Sequence, residues 1–114
     1  MGGCRVVAET LSRGEVRLCR FPPPDRQRPV LVLARAGAIG HLATVTVAPI
    51  ASTVRGVPSE VVLDSDDGMK GHCAVNLHNA VTVAQARLGR RVCNLSAARM
   101  EQVSEALRFS LGCG

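Results

Sequence analysis

Short runs rich in β-branched residues, separated by turn signals, fill most of this chain and constrain its fold more than any other feature. Branched side chains pack well on a pleated surface, so such runs are typical of β-strands. The clearest run spans residues 29–35, where four consecutive apolar residues follow Pro29. A run without polar alternation predicts a strand that is buried on both faces.

The remaining runs predict four or five further strands. Residues 14–21 alternate apolar and charged side chains, which is typical of a strand with one face in solvent. Three prolines at 22–24 end this strand, because proline supplies no backbone donor to a sheet. Loops are predicted at 51–58 and at the acidic turn 64–68, and a single helical turn at 84–88. The other predicted strands span 42–50, 60–63, 73–77 and 91–95.

One amphipathic helix is predicted near the end of the chain. Ser96 is a suitable N-cap and Gly112 a suitable stop, which gives a helix of about 16 residues. Its apolar residues at helical spacing are Met100, Val103, Leu107 and Leu111. This stripe fits either the core or a dimer contact. Several short strands and one terminal helix predict a mainly β fold with α, a small, partly closed antiparallel β-barrel.

Length and charge limit the classes of function. The 114 residues suffice for one domain, predicted at 13–114 after a loose lead-in at 1–12. The net charge of +5 comes wholly from residues 1–57, which hold eight arginines against three acids. This one-sided placement indicates a polyanionic partner. With two Phe and no Trp or Tyr, a platform of stacked aromatic side chains is excluded.

Cysteine and histidine patterns predict neither a metal site nor a disulfide framework. The five cysteines include no Cys-x-x-Cys pair, so reduced thiols in a cytoplasm are expected. No apolar run approaches the length of a membrane span, so no membrane contact is expected. His41, His72 and His78 match no metal-ligand spacing, and none is predicted to be catalytic. His72 and His78 flank a predicted strand and are expected to share a face if that strand is regular.

Two segments carry residues suited to phosphate chemistry. Arg28 stands at the start of the buried strand, where Pro29 fixes the backbone behind it, so its cation is oriented to stabilise a phosphorane. Ser52, Thr53 and Arg55 follow the third strand and offer two hydroxyls and a second cation. The alternatives are a solvated arginine at the rim and a Ser-Thr pair that bonds its own turn.

The order of these segments resembles the MazF/PemK (Kid) family of bacterial type II toxins. The similarity covers residues 13 to about 113, and six blocks in register make it specific although each block alone is weak. The blocks are RGEV at 13–16, RPVLVL at 28–33, VTVAPIAST at 45–53, VRG and SEV at 54–61, VNL at 75–77 and LSAARM at 95–100.

The resemblance implies an SH3-like, CcdB-like barrel with the activity of an mRNA interferase. Members of the family cut single-stranded RNA at short motifs without a metal or other cofactor, leaving a 2′,3′-cyclic phosphate. They act as homodimers in the bacterial cytoplasm and are held inactive by a co-encoded acidic antitoxin, through which alone they contact DNA. The family's arginine before Pro-Val matches Arg28, which implies a role in neutralising the transition-state phosphate.

The remaining predicted roles follow from this resemblance. Ser52 or Thr53 is expected to assist Arg28, because Ala51 stands where many relatives carry a threonine in the active site. An extended segment turns successive side chains to opposite faces, so Ser52 serves the site only if the chain bends there. The predicted RNA contacts are Asp25, Arg26, Arg35 and Arg55.

Ala51 also predicts weakened cleavage and favours an alternative function. In this alternative the protein has the same fold but binds antitoxin or RNA without cutting it. A gyrase-poisoning toxin of the CcdB type uses a C-terminal tail with a tryptophan, which this chain lacks.

Overall fold

A computed structural model of the chain describes residues 11–21, 27–33 and 44–112. These residues form a mainly antiparallel β structure with a helix, α1, at Ala97–Ser110. Short 3₁₀ turns occupy Ser65–Asp67, Leu77–Asn79 and Gln85–Arg87. The strands are β1 Glu15–Arg20, β2 Gln27–Val32, β3 Thr44–Ala51, β4 Glu60–Leu63, β5 Cys73–Asn76, β6 Val81–Ala84 and β7 Leu88–Asn94.

All strand pairs within the described residues are antiparallel, and the sheet runs in the order β4-β5-β3-β2-β1-β7. Strand β6 joins at the side, where it pairs with β3. The predicted fold class is confirmed, although β4 and β7 remain as two edges of an open sheet in the described part. The sequence did not predict β6. Val83 alone is buried in that short strand, so no alternating pattern stands out.

Strand β2 is buried on both faces, as its apolar run predicts. Leu31 belongs to the core under the helix, whereas Val30 and Val32 belong to a second core on the other face. Leu11 is buried in this second core, so the packed structure includes a residue that the sequence assigned to the lead-in. The strand begins at Gln27, two residues earlier than predicted, because Gln27 and Arg28 already pair with β1.

Helix α1 begins as its sequence predicts. The hydroxyl of Ser96 accepts a hydrogen bond from the backbone N–H of Arg99 at 3.2 Å. Val103 and Ala106 are buried against the sheet. Leu111, the last residue of the predicted apolar stripe, is 68% exposed and does not belong to the core. The helix ends at Ser110, and Leu111 lies in the turn that leads to Gly112.

The predicted acidic turn between β4 and β5 is confirmed and closely built. The side chain of Asp64 accepts a hydrogen bond from the backbone N–H of Asp66 at 2.9 Å. The side chain of Asp67 in turn accepts one from the backbone N–H of Asp64, also at 2.9 Å. Gly68 ends the turn with φ +99°, and a Cβ placed there would lie 2.7 Å from the Cβ of Cys93. Both the backbone conformation and the close approach of β7 therefore require glycine.

Replacing Gly68 with alanine is expected to destabilise the fold more than the same change at Gly56. Gly56 has φ +76° but no described atom within 4 Å of its built Cβ, so Gly56→Ala carries only the left-handed backbone cost of about 1–2 kcal/mol. Gly68→Ala adds overlap with Cys93, which costs about 1–3 kcal/mol more. Urea unfolding of both variants measures the difference, and equal losses of stability would contradict this account.

Candidate active site

A cleft of about 470 Å³ opens where β1, β2 and β7 meet the end of β3 and the loop between β4 and β5. It contains two of the residues that the sequence singled out, Arg28 and Ser52. Its described lining residues are Leu18, Gln27, Arg28, Pro29, Ile50, Ala51, Ser52, Met69, Lys70, Gly71, His72, Cys73, Arg90 and Val92.

Strand register brings Arg28 and position 51 to the same end of the sheet. Strand β2 pairs with β3 through Val30 with Pro49 and Val32 with Val47. Arg28 and Ala51 lie beyond the last of these pairs, near the start of β2 and at the end of β3, which are at the same end of this antiparallel pair. The two residues are far apart in sequence, and both line the cleft.

Ser52 and Thr53 are separated by the structure. The chain bends at Ser52, directly after the last residue of β3, and Ser52 lines the cleft. Ser52 was predicted to face the site only if the chain bends at this residue, and the bend is present. Thr53 is exposed and lies outside the described lining of the cleft.

The loop after Ser52 is held by a carboxylate rather than by its own hydroxyls. Glu60 accepts hydrogen bonds from the backbone N–H groups of Arg55 and Gly56, at 3.1 and 2.9 Å. Arg55 is exposed and is absent from the described lining of the cleft. Asp25, Arg26, Arg35 and His41 lie outside the described residues.

Sequence reasoning missed three basic residues of the cleft. Lys70 and His72 come from the loop between β4 and β5, and Arg90 comes from β7. Lys70 is the one lysine of the chain and directly follows the acidic turn, a signal that was present in the sequence. Arg90 carries no such signal, because only the pairing of β7 with β1 brings it to the cleft.

The charge of the cleft has one sign. Arg28, Lys70 and Arg90 contribute cations, and no described residue that lines the cleft is acidic. Cations gathered in a concave surface attract a polyanion and orient its phosphates. The arrangement is therefore suited to a nucleic-acid backbone.

The two described histidines do not share a face, contrary to the prediction. Strand β5 ends at Asn76, and a 3₁₀ turn at Leu77–Asn79 redirects the chain. His72 lines the cleft, whereas Nδ1 of His78 lies 2.7 Å from the hydroxyl of Ser59. His78 thus provides a partner for a buried serine.

The described cysteines are free thiols. Cys19, Cys73 and Cys93 form no disulfide. Burial raises the pKa of the Cys73 thiol, and nearby charges, that of Asp67 first, raise it further. In the described ranges, no three His, Cys, Asp or Glu side chains form a group that would hold a metal ion. None of the described helices is both long and apolar enough for a membrane span.

An ion pair fixes the loop that supplies Lys70 and His72. The Nε of Arg99, in the first turn of α1, donates to Asp67 at 2.9 Å. This hydrogen bond is the main reason that the pKa of Asp67 lies below its ordinary value. The acidic turn is thereby joined to the helix, and the loop that carries Lys70 and His72 begins next to this anchored turn.

Comparison with known proteins agrees with this geometry. Residues 12–111 match the family model of the PemK-like, MazF-like toxins of type II toxin–antitoxin systems. Over 103 residues the chain is 40% identical to the probable endoribonuclease MazF5 of Mycobacterium tuberculosis, covering 90% of this chain and 94% of the relative.

Two solved structures are similar to this chain. Mycobacterium tuberculosis toxin MazF-mt6 has a TM-score of 0.80 and 34% identity, covering 86% of this chain and 96% of the toxin. A mycobacterial endoribonuclease in complex with its cognate antitoxin has a TM-score of 0.82 and 26% identity, covering 92% of this chain and 98% of that one. The chain belongs to the PemK/MazF family of type II toxins.

Asp67→Asn is expected to lower the free energy of unfolding by about 1 kcal/mol at pH 7, because it removes a charged partner of Arg99. The folded-state pKa of Asp67 is depressed, so this contribution is complete above about pH 4, the range of an unfolded aspartate. It disappears as the pH falls through the folded-state pKa.

Chemical unfolding at a series of pH values between 7 and 2 measures this contribution. Asp66→Asn is the matched control, since Asp66 is an exposed residue of the same turn. A difference between wild type and Asp67→Asn that stays constant down to pH 2 would contradict the ion-pair explanation.

Proposed function

We propose that this protein is an endoribonuclease that cleaves single-stranded RNA at short sequence motifs, as the toxin of a type II toxin–antitoxin system. The observation that carries the proposal is the placement of Arg28 in a cleft whose described charges are all positive. The 40% identity to a protein named as an endoribonuclease supports catalysis rather than binding alone.

In the proposed reaction the ribose 2′-hydroxyl attacks the neighbouring phosphorus. The products are a 2′,3′-cyclic phosphate and a free 5′-hydroxyl, and the need for the 2′-hydroxyl restricts the activity to RNA. Arg28 neutralises the charge that develops on the phosphate oxygens. A guanidinium keeps its proton at neutral pH, so its role is electrostatic. Ser52 assists by donating a hydrogen bond from its hydroxyl to a phosphate oxygen. Thr53 lies outside the described cleft and is the weaker candidate for this role.

Lys70 and Arg90 are proposed to bind the phosphates on either side of the scissile one. Both line the cleft with Arg28 and come from different elements, so together they define a path for the backbone. Arg55 is proposed as a contact beyond the cleft, from the loop that follows Ser52. Asp25, Arg26 and Arg35 remain proposed RNA contacts.

The proposed partners are a second copy of this chain and an acidic antitoxin. A protein of net charge +5 is complementary to an acidic polypeptide, which would compete with RNA for the same cations. The similar mycobacterial endoribonuclease that was solved with its cognate antitoxin supports this partner. The proposed location is the bacterial cytoplasm, with DNA contacted only through the antitoxin complex.

A protein of this fold that binds RNA without cleaving it is the second candidate, and Ala51 is the observation in its favour. The two candidates differ in their products. Incubation of the protein with a mixed RNA pool in EDTA, followed by mapping of the ends, detects cyclic phosphates only if the protein is a metal-independent nuclease.

Arg28→Ala is expected to reduce the cleavage rate by about a hundredfold or more while the protein remains folded. The loss of a preorganised charge at the reacting phosphate has an effect of about this size. Arg108→Ala is the matched control, because Arg108 is an exposed arginine of α1 outside the described cleft. Single-turnover cleavage of an RNA oligonucleotide measures both variants, and equal rates for Arg28→Ala and wild type would refute the assignment.

Ala51→Thr is expected to raise the cleavage rate, because it adds a hydroxyl at the end of β3 in the cleft that Arg28 also lines. Ala51→Val is the control, since valine has nearly the same shape without the hydroxyl. A rate for Ala51→Thr that is unchanged or below wild type would remove the case for position 51.

A further inference from the structure

We propose that His72 is the general base of this nuclease and accepts the proton of the attacking 2′-hydroxyl. The inference rests on the proposed function and adds a residue to it. Two observations carry it: the composition of the cleft and the way in which the backbone on either side of His72 is held.

Among the described residues that line the cleft, His72 carries the side-chain type suited to proton transfer. The ionisable side chains of its described lining are Arg28, Lys70, His72, Cys73 and Arg90. Arginine and lysine side chains are ordinarily protonated at pH 7 and so have no free site for a proton. Burial raises the pKa of Cys73, which keeps it a thiol. Histidine is the side chain whose charge normally changes between pH 5 and 8.

The hydroxyl in the described lining does not replace a base. Ser52 lines the cleft, but a serine hydroxyl can donate a hydrogen bond to a phosphate oxygen and does not take up a proton at neutral pH.

The backbone of His72 is held from both sides. His72 directly precedes Cys73, which is buried and pairs with Leu63 at the start of β5. On the other side, the acidic turn is fixed to α1 through Asp67 and Arg99. The backbone that carries His72 thus enters β5 from an anchored turn, and the exposed imidazole lines the cleft, where a substrate can contact it.

The step balances without a further reactant. Neutral His72 takes the 2′-hydroxyl proton while the bond from O2′ to phosphorus forms and the bond from phosphorus to O5′ breaks. The departing O5′ takes a proton from water, and the imidazolium of His72 returns its proton to solvent. The cations of Arg28, Lys70 and Arg90 face the same cleft and stabilise the negative phosphate throughout.

The test compares His72→Gln with His78→Gln, the other described histidine, which lies outside the cleft lining and contacts Ser59. Single-turnover cleavage of an RNA oligonucleotide is measured from pH 5 to 9. We expect His72→Gln to lower the rate about a hundredfold, the usual contribution of a general base, with RNA affinity nearly unchanged. The wild-type rate should rise with pH over the acidic part of this range, and this rise should be lost in His72→Gln but kept in His78→Gln.

Two further measurements separate a base from a structural or acid role. Added imidazole should restore part of the rate of His72→Ala, as expected for a missing proton acceptor. A substrate with sulfur in place of the bridging 5′-oxygen has a leaving group that needs no proton. His72→Gln should remain slow on this substrate if His72 is the base, whereas a rate restored to that of wild type would overturn the assignment.

The outcomes also distinguish this inference from the proposed function. If wild type cleaves RNA and His72→Gln cleaves equally well over the whole pH range, the role of His72 is wrong and the nuclease stands. If wild type produces no cyclic phosphate ends, the proposed function itself fails.

Discussion

The antiparallel pairing of β2 with β3 is the constraint on which the rest of the structure depends. It places the apolar residues of β2 between two cores, with Leu31 under the helix and Val30 and Val32 on the opposite face. Because side chains alternate along a strand, a shift of one residue would exchange these faces. The register is therefore fixed by burial, and the positions of Arg28 and Ala51 at the end of the pair are fixed with it.

The stability of the acidic turn and the geometry of the cleft are physically linked. The turn is closed by hydrogen bonds between Asp64 and Asp67, is tied to α1 by Arg99 and packs against Cys93 of β7 at Gly68. The loop that follows supplies Lys70 and His72 to the cleft. A change in the turn therefore alters both the free energy of unfolding and the placement of two basic side chains.

The chemistry of the cleft follows from the charges that line it. Its cations come from three separate elements, and the described lining has no carboxylate to oppose them. These cations stabilise negative charge but do not take up protons, because arginine and lysine side chains ordinarily remain protonated.

The sequence alone determined the strand-rich architecture, the terminal helix with its Ser96 cap, the acidic turn and the family. Each of these depends on local patterns or on motifs in order. Only the tertiary structure decided that Ser52 and not Thr53 lines the cleft, that Leu111 is exposed, and that Lys70, His72 and Arg90 join Arg28. The physical reason is that strand pairing brings together residues distant in the chain, and local periodicity identifies the strands but neither which of them pair nor where the chain bends.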